Sequence, residues 1–285
     1  MRILILSDIH GILPALEAVL ATPEAQGCEA VFSLGDHTGF GPQPREVQLR
    51  LEDIRARMLL GKHEERLRHV EDFPGYNWSM LHWTARQMEG LNIDFPMDAR
   101  IGPVWLTHGA PGDPYHIIER ENLDSEMSAV LDALPEGVTH LLSGHNHIRW
   151  QIEHNGRTAF NPCSVGIPEE GEGGVAPFAV MTVDGDQVTL TRHQAKYDLK
   201  EAGRAFLLTG AAQAAPEMCR ATYQTMRTGE YQGVLKVVRH VIQTASAMGL
   251  TMGDQAAWEA ADQTYPWQEP MSTAAFWKHA EEALL

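Results

Sequence analysis

Arg2-Ile3-Leu4-Ile5-Leu6-Ser7-Asp8-Ile9-His10-Gly11 follows the initial Met1, and its reading decides the fold. An unbroken run of Ile and Leu leaves no polar face, as expected of a strand buried on both sides in the middle of an α/β sheet. The run stops at Asp8, His10 and Gly11, and Pro14 opens a helical pattern behind it. Polar groups at the carboxyl end of a central strand occupy the place where open α/β sheets keep their ligands. A carboxylate and an imidazole two residues apart on an extended segment lie on one side, so both reach one cation. Whether this ending is chemical or structural depends on how the later strands end.

They end the same way. Residues 30–34 form the next apolar run and lead into Gly35-Asp36-His37, and residues 57–60 lead into Gly61-Lys62-His63-Glu64. Residues 101–107 deliver His108-Gly109, and residues 138–143 deliver Gly144-His145-Asn146-His147. Apolar residues at helical spacing predict helices over about 14–26, from Pro44 through Val47, Leu51, Ile54 and Met58, over about 78–91, and through Met127, Val130, Leu131 and Leu134. The rhythm then changes to alternation. Residues 149–153 and 157–160 flank Asn155-Gly156, and residues 178–183 and 187–192 flank Asp184-Gly185, which predicts two hairpins. A β-α-β half followed by a β-meander implies two stacked sheets or one mixed sheet with helices outside. An eight-fold β/α barrel would continue its helices to the end, so the late hairpins weigh against it and against a barrel amidohydrolase, which also keeps Asp and His at strand ends. From about residue 199 the pattern is helical to the end, with an apolar stripe of Val234, Val237, Val238, Val241 and Ile242.

At 285 residues, 44% hydrophobic and 21% charged, the chain has the makings of a sizeable core. A formal net charge of -16 argues against a general nucleic-acid or membrane-surface binder, which would present a basic face. Cys28, Cys163 and Cys219 are odd in number and widely spaced, which suits a reducing compartment and gives no disulfide framework. The apolar start is too short for a secretory signal, and no stretch is apolar enough to span a bilayer; the expected location is the cytoplasm. Carboxylate plus imidazole at strand ends suits Mn²⁺, Fe, Zn²⁺ or Ni²⁺ better than Ca²⁺ or Mg²⁺, which prefer oxygen alone.

The set Asp8-x-His10, Gly35-Asp36, Gly61-x-His63-Glu64, His108-Gly109 and Gly144-His145-x-His147 resembles the calcineurin-like metallophosphoesterase superfamily, closest to its small bacterial phosphatase and phosphodiesterase branch. Gly39-Phe40-Gly41-Pro42, Trp83-Thr84 with Arg86 and Gln87, Thr107-His108-Gly109-Ala110-Pro111 with Asp113-Pro114, and Asn161-Pro162-Cys163-Ser164-Val165-Gly166 strengthen the likeness, which covers roughly residues 1–200. The resemblance implies an α/β (α+β) fold, a four-layer αββα sandwich of two mixed sheets, over residues 1–198. Residues 199–285 then form an added helical extension packed on the core, with a homodimer contact as a second place for its apolar stripe. It implies a first metal held by Asp8, His10, Asp36 and His147, and a second held by Asp36, His108 and His145, Mn²⁺ being favoured. It also implies in-line attack by a metal-bridging hydroxide on a small, nucleotide-like or simpler phosphodiester or phosphomonoester, with Asp36 and His63 in catalytic roles.

Two positions depart from the family pattern. The third motif usually carries Asn, whose amide oxygen ligates the second metal; here it is Lys62, which has three donors and no acceptor. Lys62 turning away to solvent or a carboxylate is the preferred expectation, since His108 and His145 are retained; standing in for the second cation, or ligating as a neutral amine, are the others. A degenerate member that only binds phosphate or a partner is the alternative to an enzyme. Cys163 replaces a usual glycine and reads as a loop variation, Asp113 before Pro114 as a turn former, and His37 as a neighbour of the site without a ligand's role. Specificity is expected from loops 40–45, 63–78 and 111–120.

Overall fold

The computed structural model describes residues 1–116 and 120–284; part of the expected 111–120 specificity loop therefore lies outside the described residues. The first sheet contains β1 (Arg2–Leu6), β2 (Ala30–Ser33) and β3 (Arg57–Met58). The second contains β4 (Asp98–Ile101), β5 (Val104–Thr107), β6 (His140–Leu142), β7 (Trp150–His154) and β8 (Arg157–Asn161). The chain then returns to the first sheet with β9 (Val175–Asp184) and β10 (Gln187–Lys196). The strand orders are β10-β9-β1-β2-β3 and β4-β5-β6-β8-β7. β1 runs parallel to β2 and antiparallel to β9, so both sheets are mixed.

The unbroken apolar run of β1 is explained by layers on both of its faces. Ile3 and Ile5 join Phe32, Val104, Leu106, Leu142 and Phe160 between the two sheets. Leu4 and Leu6, on the opposite face, pack beneath the helices with Leu16, Val19, Val47 and Leu51. Outside the second sheet, Met127 and Leu131 cover Leu141, Ile152 and Ala159. Helix, sheet, sheet and helix make four layers, the expected αββα sandwich.

Local punctuation shifts several expected boundaries, and the helix expected from Pro44 through Ile54 and Met58 stops at Asp53, where left-handed Arg55 at φ 56° turns the chain into the strand Arg57–Met58. The helix expected over 14–26 is two, α1 (Leu13–Leu20) and α2 (Pro23–Gln26), because Pro23 cannot continue a helix and Thr22 caps the new one through Ala25 N–H. The strand expected over 101–107 belongs to the β4–β5 hairpin, since Gly102 turns left-handed at φ 55° and Pro103 lacks a ladder donor. The final hairpin turns on Gly185 and Asp186 instead of Asp184-Gly185, with Asp184 still paired to Gln187. Helices α3 (Pro44–Asp53), α4 (Lys62–Arg68), α5 (Ser79–Gln87) and α6 (Leu123–Ala133) complete the first 198 residues.

Residues 199–284 are helical, in α7 (Leu199–Leu208), α8 (Ala211–Ala214), α9 (Pro216–Thr228), α10 (Gly233–Met248), α11 (Gln255–Thr264) and α12 (Thr273–Leu284). Val241, Ala245, Ala257, Trp258 and Ala261 cluster among the added helices, while another part of the extension shares the core of the sheets. Phe206, Tyr223, Met226, Phe276 and Trp277 belong to the same apolar cluster as Leu4, Leu16 and Phe178. Val234, Val237 and Val241 are buried as the stripe predicts, but Ile242 is 47% exposed, one step past the buried arc of the helix. Arg220, buried at 1% exposure, lies over Trp267 and Phe276 and donates to the Glu269 and Met271 carbonyls, which fastens the last turn of chain to α9. Among the described residues no helix is long and apolar enough to cross a membrane.

Because the extension shares the core, Phe206→Ala should lower stability by about 3–5 kcal/mol, the cost of truncating a buried aromatic. Urea unfolding measures it; a loss below about 0.5 kcal/mol would show the extension to be an independent appendage.

Candidate metal centre

The site is built where parallel strands of the two sheets end side by side. β1 releases Asp8 and His10, and β2 releases Asp36; the loops stay zipped together beyond the sheet, with Asp8 N–H donating to Gly35 O and His10 N–H to Asp36 O at 3.1 and 2.9 Å. β5 releases His108 and β6 releases His145 and His147, with Gly144 N–H bonded to the His108 carbonyl at 2.8 Å. Asp8, His10, Asp36, His145 and His147 all hold positive φ, between 51° and 74°. L-residues adopt this left-handed backbone at a cost of roughly 1–2 kcal/mol each, so such clustering marks a functional arrangement. Neighbouring glycines make room for it. A Cβ on Gly144 would stand 2.0 Å from Ser7 Oγ, and one on Gly39 would stand 2.6 Å from His10 Nδ1.

All six expected ligands and His63 converge. Donor atoms of Asp8, His10 and His147, of His10, Asp36 and His63, and of Asp36, His108 and His145 each fall within 4.8 Å of one another. Asp36 Oδ2 is 3.3 Å from His108 Nε2 and 3.9 Å from His10 Nε2, so this carboxylate stands between two groups. His147 Nε2 is 3.5 Å from Asp8 Oδ1 and 2.9 Å from His10 Nε2. The surroundings orient the rings: His10 Nδ1 donates to Thr38 O and His108 Nδ1 to Leu34 O, each at 3.0 Å, leaving both Nε2 atoms for the cavity. His63 Nε2 and His145 Nδ1 are buried without a hydrogen-bond partner, which is what a binding site for a cation leaves behind.

The charge balance asks for a cation. Burial works to raise Asp8 and Asp36, but hydrogen bonding to His147 and the charge on His108 respectively outweigh it and hold both carboxyls below their usual range. Burial also opposes a charged His108, yet Asp36 carries its pKa up to about 9. His10 is pushed the other way, by burial and by neighbouring His147, down to about 3. The rings of His108 and His147 thus stand beside these carboxylates where a metal ion could neutralise them, and the donor set fits such an ion.

Lys62 does not leave. The side chain expected to turn away lines the same cavity as Asp36, His10, His63, His145 and His147. Cys163 holds φ 82°, the conformation that makes glycine usual there, and its thiol donates to His147 O at 3.0 Å; it stands outside the three ligand groups. His37 also stands outside them, edge-on to Phe95. Asp113 accepts from Tyr115 N–H at 2.9 Å, a turn contact.

Three residues escaped sequence reading. Glu64, present in the third motif but given no task, accepts from Asp36 N–H, Gly61 N–H and both Thr38 donors, which pins the loop that carries Asp36. Asn161 bridges Gly144 O and Cys163 N–H at 2.7 Å each, joining the His145–His147 turn to the loop after β8. Glu169 had no signal at all. Its Oε1 is 3.8 Å from His147 Nδ1, its N–H donates to His147 O, and its Oε2 accepts from Gln232 N–H at 2.8 Å. The helical extension therefore reaches the centre, and Tyr231, Gln232, Val234 and Leu235 form one wall of the cavity.

Glu169→Gln should weaken metal binding about 10–100-fold, the usual effect of losing a carboxylate that orients a ligating imidazole. Calorimetric titration of chelator-stripped protein with Mn²⁺ checks it; an unchanged affinity would show that His147 is held by other contacts.

Relatives bear on the same site. Residues 1–186 match the family model of the calcineurin-like phosphoesterase superfamily domain. Phosphodiesterase YfcE of Escherichia coli K12 is 27% identical over 186 residues, 60% of this chain and 83% of that protein. Protein MJ0912 of Methanocaldococcus jannaschii is 24% identical over 225 residues, 70% of this chain and 89% of that protein. Among solved structures, a metallophosphoesterase from Sphaerobacter thermophilus superposes with a TM-score of 0.61 at 25% identity, covering 74% of this chain and 95% of its own. Protein PH1004 from Pyrococcus horikoshii OT3 shares the fold with a TM-score of 0.67 at 19% identity, over 80% and 98% of the two chains. With most of its length inside that family model, the chain belongs to the calcineurin-like phosphoesterase superfamily and is a metallophosphoesterase, a hydrolase of phosphate esters.

Proposed function

We propose that the chain hydrolyses a small phosphate ester at a centre of divalent transition-metal ions, held by Asp8, His10, Asp36 and His147 on one side and by Asp36, His108 and His145 on the other. The observation that carries this reading is the convergence of the three donor groups, linked through His10 and Asp36, with the buried His63 Nε2 and His145 Nδ1 left without hydrogen-bond partners. When bound, such ions supply Lewis acidity toward phosphoryl oxygens and lower the pKa of water toward neutrality. The chain's own groups do the remaining work. Glu64 fixes the Asp36 loop, while the Thr38 and Leu34 carbonyls hold His10 and His108 in the tautomers that face the cavity.

His63 is placed to assist the leaving group. Its N–H donates to Asp36 Oδ1 at 2.8 Å, and its ring packs edge-on to His10 and Phe40. Burial holds its pKa well below the usual value against the pull of Asp36. A phosphoryl anion alongside favours the charged form and lets the ring share a proton with the departing oxygen. Phe40, Ile148, Ile167, Val234 and Leu235 line the cavity with apolar surface, which limits competing water. Retention of every expected ligand in one place supports hydrolysis over binding alone.

Hydrolysis of a chromogenic phosphate ester in the presence of Mn²⁺ tests the proposal. Exhaustive chelation should abolish activity and Mn²⁺ restore it, and His63→Ala should lower kcat about 10²–10⁴-fold. Full activity in protein stripped of metal would overturn it.

A further inference from the structure

Lys62 is the one residue of the centre whose chemistry is foreign to metal ligation. It opens α4, and the backbone on either side of it is fixed: Glu64 accepts from Gly61 N–H, and Asp36 accepts from His63 N–H. The side chain is thereby directed into the cavity beside Asp36 and His145. Among the described residues it makes no ion pair and no hydrogen bond. An ammonium so placed offers three donors to whatever enters and can accept nothing. It is a compact point charge, suited to an anion's oxygen.

The size of the cavity restricts what that anion is. The metal-side cavity is about 80 Å³, and an adjoining one of about 400 Å³ shares Arg120, Ile148, Glu169 and Tyr231 with it. Phe40, Ile167 and the extension residues Val234 and Leu235 also line the first. The second offers an organic group room beside it. A phosphomonoester has one organic arm and two negative charges; a diester has two arms and one charge. Added positive charge favours the former, and the adjoining cavity has room for its one arm.

We propose, resting on the hydrolase reading above, that this chain is a phosphomonoesterase in which Lys62 anchors the terminal phosphoryl dianion, with the leaving group lying in the adjoining cavity. Lys62 is then a substrate-binding residue that sets monoester over diester preference, where the family pattern has a metal-ligating amide.

The test compares p-nitrophenyl phosphate with bis-p-nitrophenyl phosphate on the Mn²⁺-loaded protein, in wild type and in Lys62→Met, which keeps length and removes charge. Wild type should favour the monoester by at least about tenfold in kcat/KM, the scale of one charge-assisted contact. Lys62→Met should lose about tenfold on the monoester, chiefly through KM, and distinctly less on the diester. Calorimetric binding of inorganic phosphate should weaken by a similar factor, while metal content and Tm hold. A wild type that favours the diester overturns the proposal, as do equal losses on both esters accompanied by a fall in metal content. If the loaded wild type cleaves neither ester, the hydrolase reading fails; phosphate binding then still decides the anchor, which stands if Lys62→Met weakens it and falls if it does not.

Discussion

Two carboxylates removed from water set the terms for everything around them. Asp8 and Asp36 are at most 1% exposed, and an ionised carboxylate buried without compensation is among the costliest features a fold can carry. Compensation comes from every direction available. His145 N–H donates to Asp8, His63 N–H donates to Asp36, and the rings of His108 and His147 lie against the two carboxylates. The left-handed turns at the strand ends follow from the same demand, because they let backbone donors and imidazoles crowd one small volume. The strain in these turns and the attraction of the charges are therefore two sides of one arrangement, and neither would persist alone.

How much of this was legible in the sequence depends on how far each contact reaches. The strands and their polar endings could be read because burial on both faces of β1 forbids polar residues until the sheet stops. The ligands could be read because each follows such a stop, and because the order of motifs resembles a known family. Glu64 was visible as a letter, but its four donors come from loops whose folding back no local pattern announces. Glu169 was invisible, since its partners, His147 and Gln232, meet only through the path of the chain after β8 and the docking of α10. Lys62 shows the opposite failure. Its departure from pattern was plain, yet the direction of its side chain is fixed by hydrogen bonds at Gly61 and His63 that a motif does not encode.

The helical extension could be counted from its apolar periodicity, but not placed. Its stripe says that something must cover it; only the structure shows that the same helices complete the core under β1 and the wall of the cavity. A segment that looks like an appendage in sequence is thus coupled to the chemistry by a clasp, Gln232 N–H to Glu169 to His147. By linkage, whatever tightens the centre also tightens the docking of these helices, and the reverse holds to the same extent.

The placement of β1 has a temporal meaning as well. Ile3 pairs with Ala30 on one side and with Met181 on the other, and the Ser7 and Asp8 carbonyls are capped by Val165 and Ser164. Synthesis from the N-terminus delivers both acidic groups well before Ser164, Val165 and Met181. Through that interval Asp8 and Asp36 remain hydrated, where holding a charge is free of penalty. Dehydration then coincides with the arrival of the histidines and backbone donors that make it tolerable, so chain order itself spares the nascent protein a naked buried charge.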